Sequence, residues 1–132
     1  MLLTRASEYA LLSLLLIAKQ DGPEDVDTLS KRLGISRSFL AKILQLLARK
    51  GILKSSRGAK GGFSLNKKPS EISIKTLIEV VEKKPIVVFE CSRDTAHCPS
   101  GKGDFCTIWP FLSKFQNKID DFFKEMTLKD IL

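Results

Sequence analysis

Apolar residues recur at helical spacing along the first half of this chain, and glycine and proline interrupt them. Residues 4–19 are apolar on nearly every side, which predicts a buried first helix. Gly22 and Pro23 break that pattern. A short second helix, capped by Asp27 and ended by Gly34, is predicted to follow.

A third, longer helix is predicted between Ser36, its expected N-cap, and Gly51. Together with the short helix and the turn before it, this helix forms a helix-turn-helix pattern. Two short strands, residues 52–55 and 63–65, are predicted around a loop that contains three glycines and two bases. The predicted fold class is therefore mainly α with a small β-hairpin wing, a winged helix-turn-helix. The apolar side of the third helix consists of Leu40, Ile43, Leu44 and Leu47.

Two more helices are predicted in the second half of the chain. The fourth is capped by Ser73, covers residues 73–81 and is ended by Pro85. After a polar loop, a three-four spacing of apolar residues predicts a long last helix whose regular part begins at Pro110. More apolar side chains lie off this seam, including Phe123, so we expect a second copy of the chain to cover the helix in a homodimer. The seam consists of Phe105, Ile108, Leu112, Phe115, Ile119, Phe122 and Met126.

These elements divide the chain into three predicted parts. Residues 1–69 form a winged helix-turn-helix DNA-binding domain. Residues 70–104 form a connecting helix and a cysteine-bearing loop. Residues 105–132 form a dimerisation helix and a C-terminal turn.

Charge is distributed unevenly and points to nucleic acid. Residues 28–70 contain eleven Lys or Arg and no Asp or Glu, while the whole chain has a formal net charge of +7. A basic surface without acids favours a polyanionic partner, because each neutralised phosphate releases counterions. We expect double-stranded DNA with a palindromic operator. The candidate contacts on the third helix and the wing are Ser36, Arg37, Ser38, Lys42, Gln45, Arg57 and Lys60.

The composition also excludes other classes of protein. No apolar stretch reaches the roughly 20 residues of a membrane span, and Glu8 interrupts what would be a signal peptide, so a cytoplasmic protein is expected. One histidine and no paired carboxylates argue against a hydrolytic enzyme. A small iron–sulfur electron carrier is disfavoured because it would not need a basic, glycine-rich wing.

The three cysteines, Cys91, Cys98 and Cys106, lie in the polar loop, so we expect them not to fill gaps in the core. They lack the C-x2-C pairs of zinc sites. An iron–sulfur cluster accepts such irregular spacing. Redox-active thiols and unliganded cysteines are the alternatives.

Several motifs together resemble the winged-helix iron–sulfur-cluster transcription regulator family, of the IscR, NsrR and RirA type. They are the start Met-Leu-Leu-Thr with Tyr9-Ala10, then Gly34-Ile35-Ser36, Arg57-Gly58 with Gly61-Gly62-Phe63, and the three late cysteines in order. The resemblance implies a homodimeric bacterial regulator whose C-terminal helices cross at the dimer interface. It also implies that a cluster held by the cysteines alters DNA affinity.

The resemblance implies a fourth cluster ligand, and this chain departs from the family here. The cluster-assembly members use a histidine where this chain has Trp109. Nitric-oxide-sensing members use a carboxylate near the start of the first helix, supplied by the partner subunit, and Glu8 occupies that position. Glu8 is therefore preferred to His97, which adjoins Cys98. Three thiolates and a carboxylate resemble the 4Fe–4S members more than the 2Fe–2S members.

The resulting hypothesis is a dimeric DNA-binding regulator that senses iron, redox or nitric oxide status. A cluster-free member that senses through thiols or a partner protein is the alternative. The recognition helix has Ala41-Lys42 where the cluster-assembly regulator has Glu-Gln, so the same operator is not expected.

Overall fold

The computed structural model describes residues 2–132 and contains the predicted winged helix. The order of its helices and strands is α1 (Arg5–Ala18), α2 (Val26–Leu33), α3 (Arg37–Arg49), β1 (Leu53–Ser56), β2 (Gly62–Leu65), α4 (Ile74–Glu82) and α5 (Trp109–Phe123). Short 3-10 turns lie between and after them, at Pro69–Glu71, Thr95–His97, Gly103–Phe105 and Leu128–Ile131. Within residues 2–132, no helix is long and apolar enough to cross a membrane. The predicted fold class is confirmed.

Helix starts are set by local hydrogen bonds that differ from the predicted ones at two positions. Asp25, not Asp27, caps α2, because its carboxylate accepts from the Thr28 backbone N–H at 2.8 Å. Ser36 occupies the N-cap position of α3 but makes no capping bond. Its hydroxyl lies 3.1 Å from that of Ser38 instead.

The wing is held by pairing on both of its sides. β1 and β2 are antiparallel, with Leu53 opposite Leu65 and Ser56 opposite Gly62, one residue later than predicted for β1. Phe63 also pairs with Glu24 in the α1–α2 loop, through N···O distances of 2.9 and 2.7 Å. The wing is therefore fixed relative to the helix-turn-helix.

One hydrophobic core extends from α1 to the C-terminal turn. Leu14, Leu44 and Leu77 are fully buried in it. The prediction that α1 is buried all round is wrong, because Leu12 is 39% exposed. The rest of the chain does not cover the side of α1 on which Leu12 lies.

α4 ends three residues before Pro85, so the prediction that Pro85 ends it is wrong. Lys83 adopts the left-handed conformation, with φ 58°, and its N–H bonds to the Glu79 carbonyl. Glu82, in the last turn, accepts hydrogen bonds from the Thr4 and Ser7 hydroxyls at 2.6 and 2.5 Å. The end of α4 is thereby tied to the start of α1.

α5 begins at Trp109, which agrees with a regular start at Pro110. It is shorter than the predicted seam, since Phe105 lies in a 3-10 turn and Met126 follows the helix. Phe123 is 7% exposed and belongs to the chain's own core, so its assignment as spare apolar surface is wrong. Ile119 is partly buried against the same core. One side of α5 therefore packs into the core.

The anchor of the wing yields a first prediction. A Cβ on Gly62, which has φ 147°, would lie 2.4 Å from the Glu24 carbonyl, whereas a Cβ on Gly58, with φ 105°, meets nothing within 4 Å. Backbone strain costs ~1–3 kcal/mol at such positions. Gly62→Ala should therefore lower the free energy of unfolding, measured with urea, by clearly more than Gly58→Ala. Equal losses would contradict the anchoring.

Candidate nucleic-acid interface and cysteine cavity

The outer face of α3 is polar and open to solvent. Its basic and amide side chains are exposed, and its apolar side is buried. Small residues at the start of such a helix allow its backbone to approach base edges. The exposed candidates on and before α3 are Ser36, Arg37, Ser38, Lys42 and Gln45.

Arg37 has a partner that the sequence did not indicate. Its Nε lies 2.5 Å from the Asp27 carboxylate, with both side chains more than half exposed. Asp27 lies just outside the acid-free segment and reaches the first residue of α3. Exposed ion pairs contribute little free energy, so Arg37 remains available to a stronger anion.

Arg57 and Lys60 are both exposed at the tip of the wing. Gly58 has a positive φ of 105°, which lets the chain turn sharply between the strands. Basic side chains are therefore exposed on two separate segments, the wing and α3.

All three cysteines line a single cavity of about 380 Å³. Apolar side chains supply much of the remaining wall, at Phe89, Phe105, Ile108 and Leu112. The expectation that no cysteine is buried is wrong for Cys91, which is 3% exposed. Cys98 and Cys106 are half-buried. The loop therefore brings the thiols to one site although 6 and 7 residues separate them in sequence.

The thiols differ in their surroundings. Burial raises the pKa of the Cys91 thiol, and the charges of Cys98 and Cys106 raise it further. The pKa of Cys98 is lowered by backbone N–H groups, first that of Lys102, which lies 3.3 Å from Sγ. Donors of this kind stabilise a thiolate, which is the form that binds metals.

The cavity brings together three donors of one chemical type. Among residues 2–132, no group of three or more His, Cys, Asp or Glu is placed so that it could hold a metal ion. Cysteine thiolates are the ligands that hold iron–sulfur clusters, so the donor type of the cavity fits such a group.

The two candidate fourth ligands lie outside this cavity. Glu8 is exposed in the first turn of α1, 3.8 Å from Arg5. His97 is exposed, with Nδ1 3.4 Å from the Asp94 carboxylate. Neither belongs to the cavity wall. Within one chain, then, the cysteines come together and the carboxylate does not join them.

A buried network beside the cavity was missed from the sequence. Gln116 is 1% exposed, and its amide bonds to Val88, Ser92 and Ile86. Arg93 forms a two-pronged pair with Asp120 at 2.7 and 2.9 Å, which lowers the pKa of Asp120. The sequence carries no clear signal for this network, because Gln116 is one of several polar residues of α5 and its loop partner Ser92 lies 24 residues away.

A helix-turn-helix with a wing and a predominantly basic outer face defines a DNA-binding protein. The chain belongs to the Rrf2 family, described as iron-dependent transcriptional regulators, whose model matches residues 3–132. This confirms the family resemblance drawn from the sequence. The protein is a DNA-binding transcriptional regulator, and its relatives are regulators rather than enzymes.

Three known proteins illustrate the similarity. An HTH-type transcriptional regulator of Aquifex aeolicus is 31% identical over 134 residues, covering 100% of this chain and 92% of its own. The regulator IscR of Pectobacterium carotovorum is 32% identical over 141 residues, covering 100% and 79%. The structure of CymR, the global cysteine regulator of B. subtilis, matches with a TM-score of 0.76 at 24% identity, covering 98% and 94%.

The Asp27–Arg37 pair yields a second prediction. Asp27→Asn removes a negative charge beside α3 and frees Arg37, so DNA binding should strengthen at low salt. The log–log dependence of affinity on salt should steepen by up to ~0.9, the value for one added phosphate contact. Fluorescence anisotropy titrations over a range of salt concentrations measure both effects.

Asp121→Asn, on α5, makes the same charge change away from α3 and serves as the control. If both variants change affinity equally, Asp27 acts only through net charge and does not restrain Arg37.

Proposed function

We propose that this regulator senses iron, redox or nitric oxide status through an iron–sulfur cluster held by Cys91, Cys98 and Cys106. One observation carries the proposal: three thiols from a polar loop line one cavity. When bound, such a group supplies a centre that iron supply, oxygen or nitric oxide alters. The chain acts on DNA in the cytoplasm, and the DNA contacts predicted on α3 and the wing belong to the same proposal.

Glu8 of a second subunit is the proposed fourth ligand, and a 4Fe–4S cluster suits three thiolates plus one carboxylate. Glu8 and Leu12 are four residues apart and therefore share a face of α1. Leu12 is 39% exposed in the single chain. An exposed leucine next to Glu8 favours a contact between this face of α1 and a partner subunit. The alternative role of Glu8 is to offset the helix dipole.

Regulation would pass through the connections of the cysteine loop. The loop is tied to α5 through Gln116 and Arg93, and α4 is tied to α1 through Glu82. A change in how the thiols are held would thus be passed to the helices that support α3. A coupling of ~1–3 kcal/mol changes operator affinity several-fold to about a hundredfold.

The third prediction tests the ligands. In anaerobic samples, Cys98→Ala should lose iron and sulfide, because a thiolate of the cavity is gone. Glu8→Ala should keep a cluster with an altered visible spectrum and faster decay in air, since a carboxylate is the weaker ligand. Iron and sulfide assays and absorbance measure these effects, and Asp21→Ala is the acid control.

Unchanged iron and sulfide in Cys98→Ala would contradict the cysteine assignment. A Glu8→Ala protein whose spectrum and decay match those of wild type would show that Glu8 is not a ligand and only offsets the helix dipole.

A cluster-free thiol sensor is the second candidate. It is favoured by the half-buried Cys98, whose Sγ accepts from Lys102. This candidate predicts a colourless, iron-free anaerobic protein whose DNA affinity changes when the thiols are oxidised.

We further propose a homodimer that reads a palindromic operator and uses the exposed phenylalanines of α5. Phe111, Phe115 and Phe122 are 63%, 45% and 60% exposed. At 100° per residue they share one face of the helix. A contiguous apolar surface of this kind marks an interaction site.

The fourth prediction tests this dimer. Phe115→Lys with Phe122→Lys places charge on the phenylalanine face and should give monomers at micromolar concentration in sedimentation experiments. Ile119 is avoided because it packs on the chain's own core. Asn117→Lys on another face of α5 is the control, and a wild-type monomer would contradict the proposal.

A further inference from the structure

The three cysteines are not anchored equally. The backbone carbonyl of Cys91 accepts a hydrogen bond from Trp109 Nε1 at 2.8 Å, across 18 positions of sequence. Cys98 and Cys106 receive no hydrogen bond from α5 in the described part of the chain. Cys98 instead bonds within its own turn, to the N–H groups of Gly101 and Lys102. Of the three cysteines, only Cys91 is therefore tied to the last helix by a hydrogen bond.

The residues on either side of Cys91 are tied to the same helix. The Ser92 hydroxyl donates to Gln116 Oε1 at 2.8 Å, and the Val88 N–H donates to the same oxygen at 2.9 Å. Arg93 pairs with Asp120 and also donates to the Ile86 carbonyl at 3.0 Å. The whole segment from residue 86 to 93 is thereby held against α5.

The anchors on α5 form a stripe. Trp109, Gln116 and Asp120 are seven and four residues apart, so at 100° per residue they point within about 20° of one direction. Phe111, Phe115 and Phe122 point roughly opposite. The helix therefore holds the first cysteine on one side and presents its phenylalanine face on the other.

From this geometry we propose that Trp109 is a positioning residue for Cys91: its indole N–H fixes the Cys91 backbone, so that the thiol faces the cavity. Without this donor, the hydrogen bond that remains to the Cys91 carbonyl is the one from the Asp94 N–H, at 3.2 Å. The aromatic ring would still pack, but the segment could turn about Cys91. The proposal rests on the proposed cluster site for its consequence, not for its geometry.

The consequence is that one of the three proposed ligands, Cys91, is positioned before the other two. Cys91 is held in place before anything binds, while Cys98 and Cys106 lie in short turns that contain Gly101 and Gly103. A preorganised ligand loses less conformational freedom on binding than a mobile one. Loss of the indole donor should therefore speed cluster loss without removing a ligand.

The test removes the donor and keeps the ring. Trp109→Phe is the simple variant. Since Trp109 is the only tryptophan of the chain, growth of a tryptophan auxotroph on benzothienylalanine replaces this one N–H by sulfur with little change of shape. That second variant keeps the test valid if Trp109→Phe folds poorly. Asn117→Ala, at an exposed position on another face of α5, is the control.

Two readouts are needed. In cluster-free, reduced protein, the rate of alkylation of each cysteine by iodoacetamide is followed by peptide mass spectrometry. We expect the rate for Cys91, relative to that for Cys98, to rise ~2- to 10-fold, the range that loss of one neutral hydrogen bond allows. In anaerobic holoprotein, the visible absorbance should decay faster after addition of a chelator, with the initial iron content unchanged.

The outcomes separate the two proposals. An unchanged ratio of Cys91 to Cys98 alkylation in both donor-free proteins overturns the role of Trp109. A raised ratio in a protein that never contains iron or sulfide supports the role of Trp109 and contradicts the proposed cluster. Equal effects of Asn117→Ala would show a general sensitivity of α5 to substitution and also overturn the inference.

Discussion

The buried amide of Gln116 is the interaction on which the arrangement of the second half of the chain depends. It is 1% exposed and bonds to three residues of the cysteine segment. An amide buried without partners costs ~1–3 kcal/mol, so the loop must stay in place to satisfy it. A loop of polar composition thus becomes a fixed wall of the cysteine cavity.

Because Gln116 lies in α5, that helix has three roles on two opposite sides. The side that faces the rest of the chain packs into the core through Phe123 and holds the segment around Cys91 through Trp109, Gln116 and Asp120. The opposite side exposes the phenylalanines. Core packing, the cysteine cavity and the proposed dimer contact are therefore connected through one helix.

The elements that depend on local signals were predictable from sequence. Gly34 ends α2 in a left-handed conformation as expected, and the hairpin lies within one residue of its predicted position. Some local details were missed, such as the cap of α2 and the end of α4 at Lys83, but the other missed features depend on residues far apart in sequence. Both Asp25 and Asp27 suit a cap, but Asp27 is drawn to Arg37, ten residues away. Cys91 and Phe123 are buried by tertiary packing. The composition of the loop does not indicate this for Cys91, and the heptad pattern does not indicate it for Phe123.

In the proposed mechanism, the state of the cysteine cavity sets DNA affinity through these connections. The direct measurement is the dissociation constant for an operator selected from random DNA, taken on one anaerobic preparation before and after removal of its cluster. We expect a change between several-fold and about a hundredfold, equivalent to ~1–3 kcal/mol, with the dimer intact in both states. Equal affinity in the two states would contradict it.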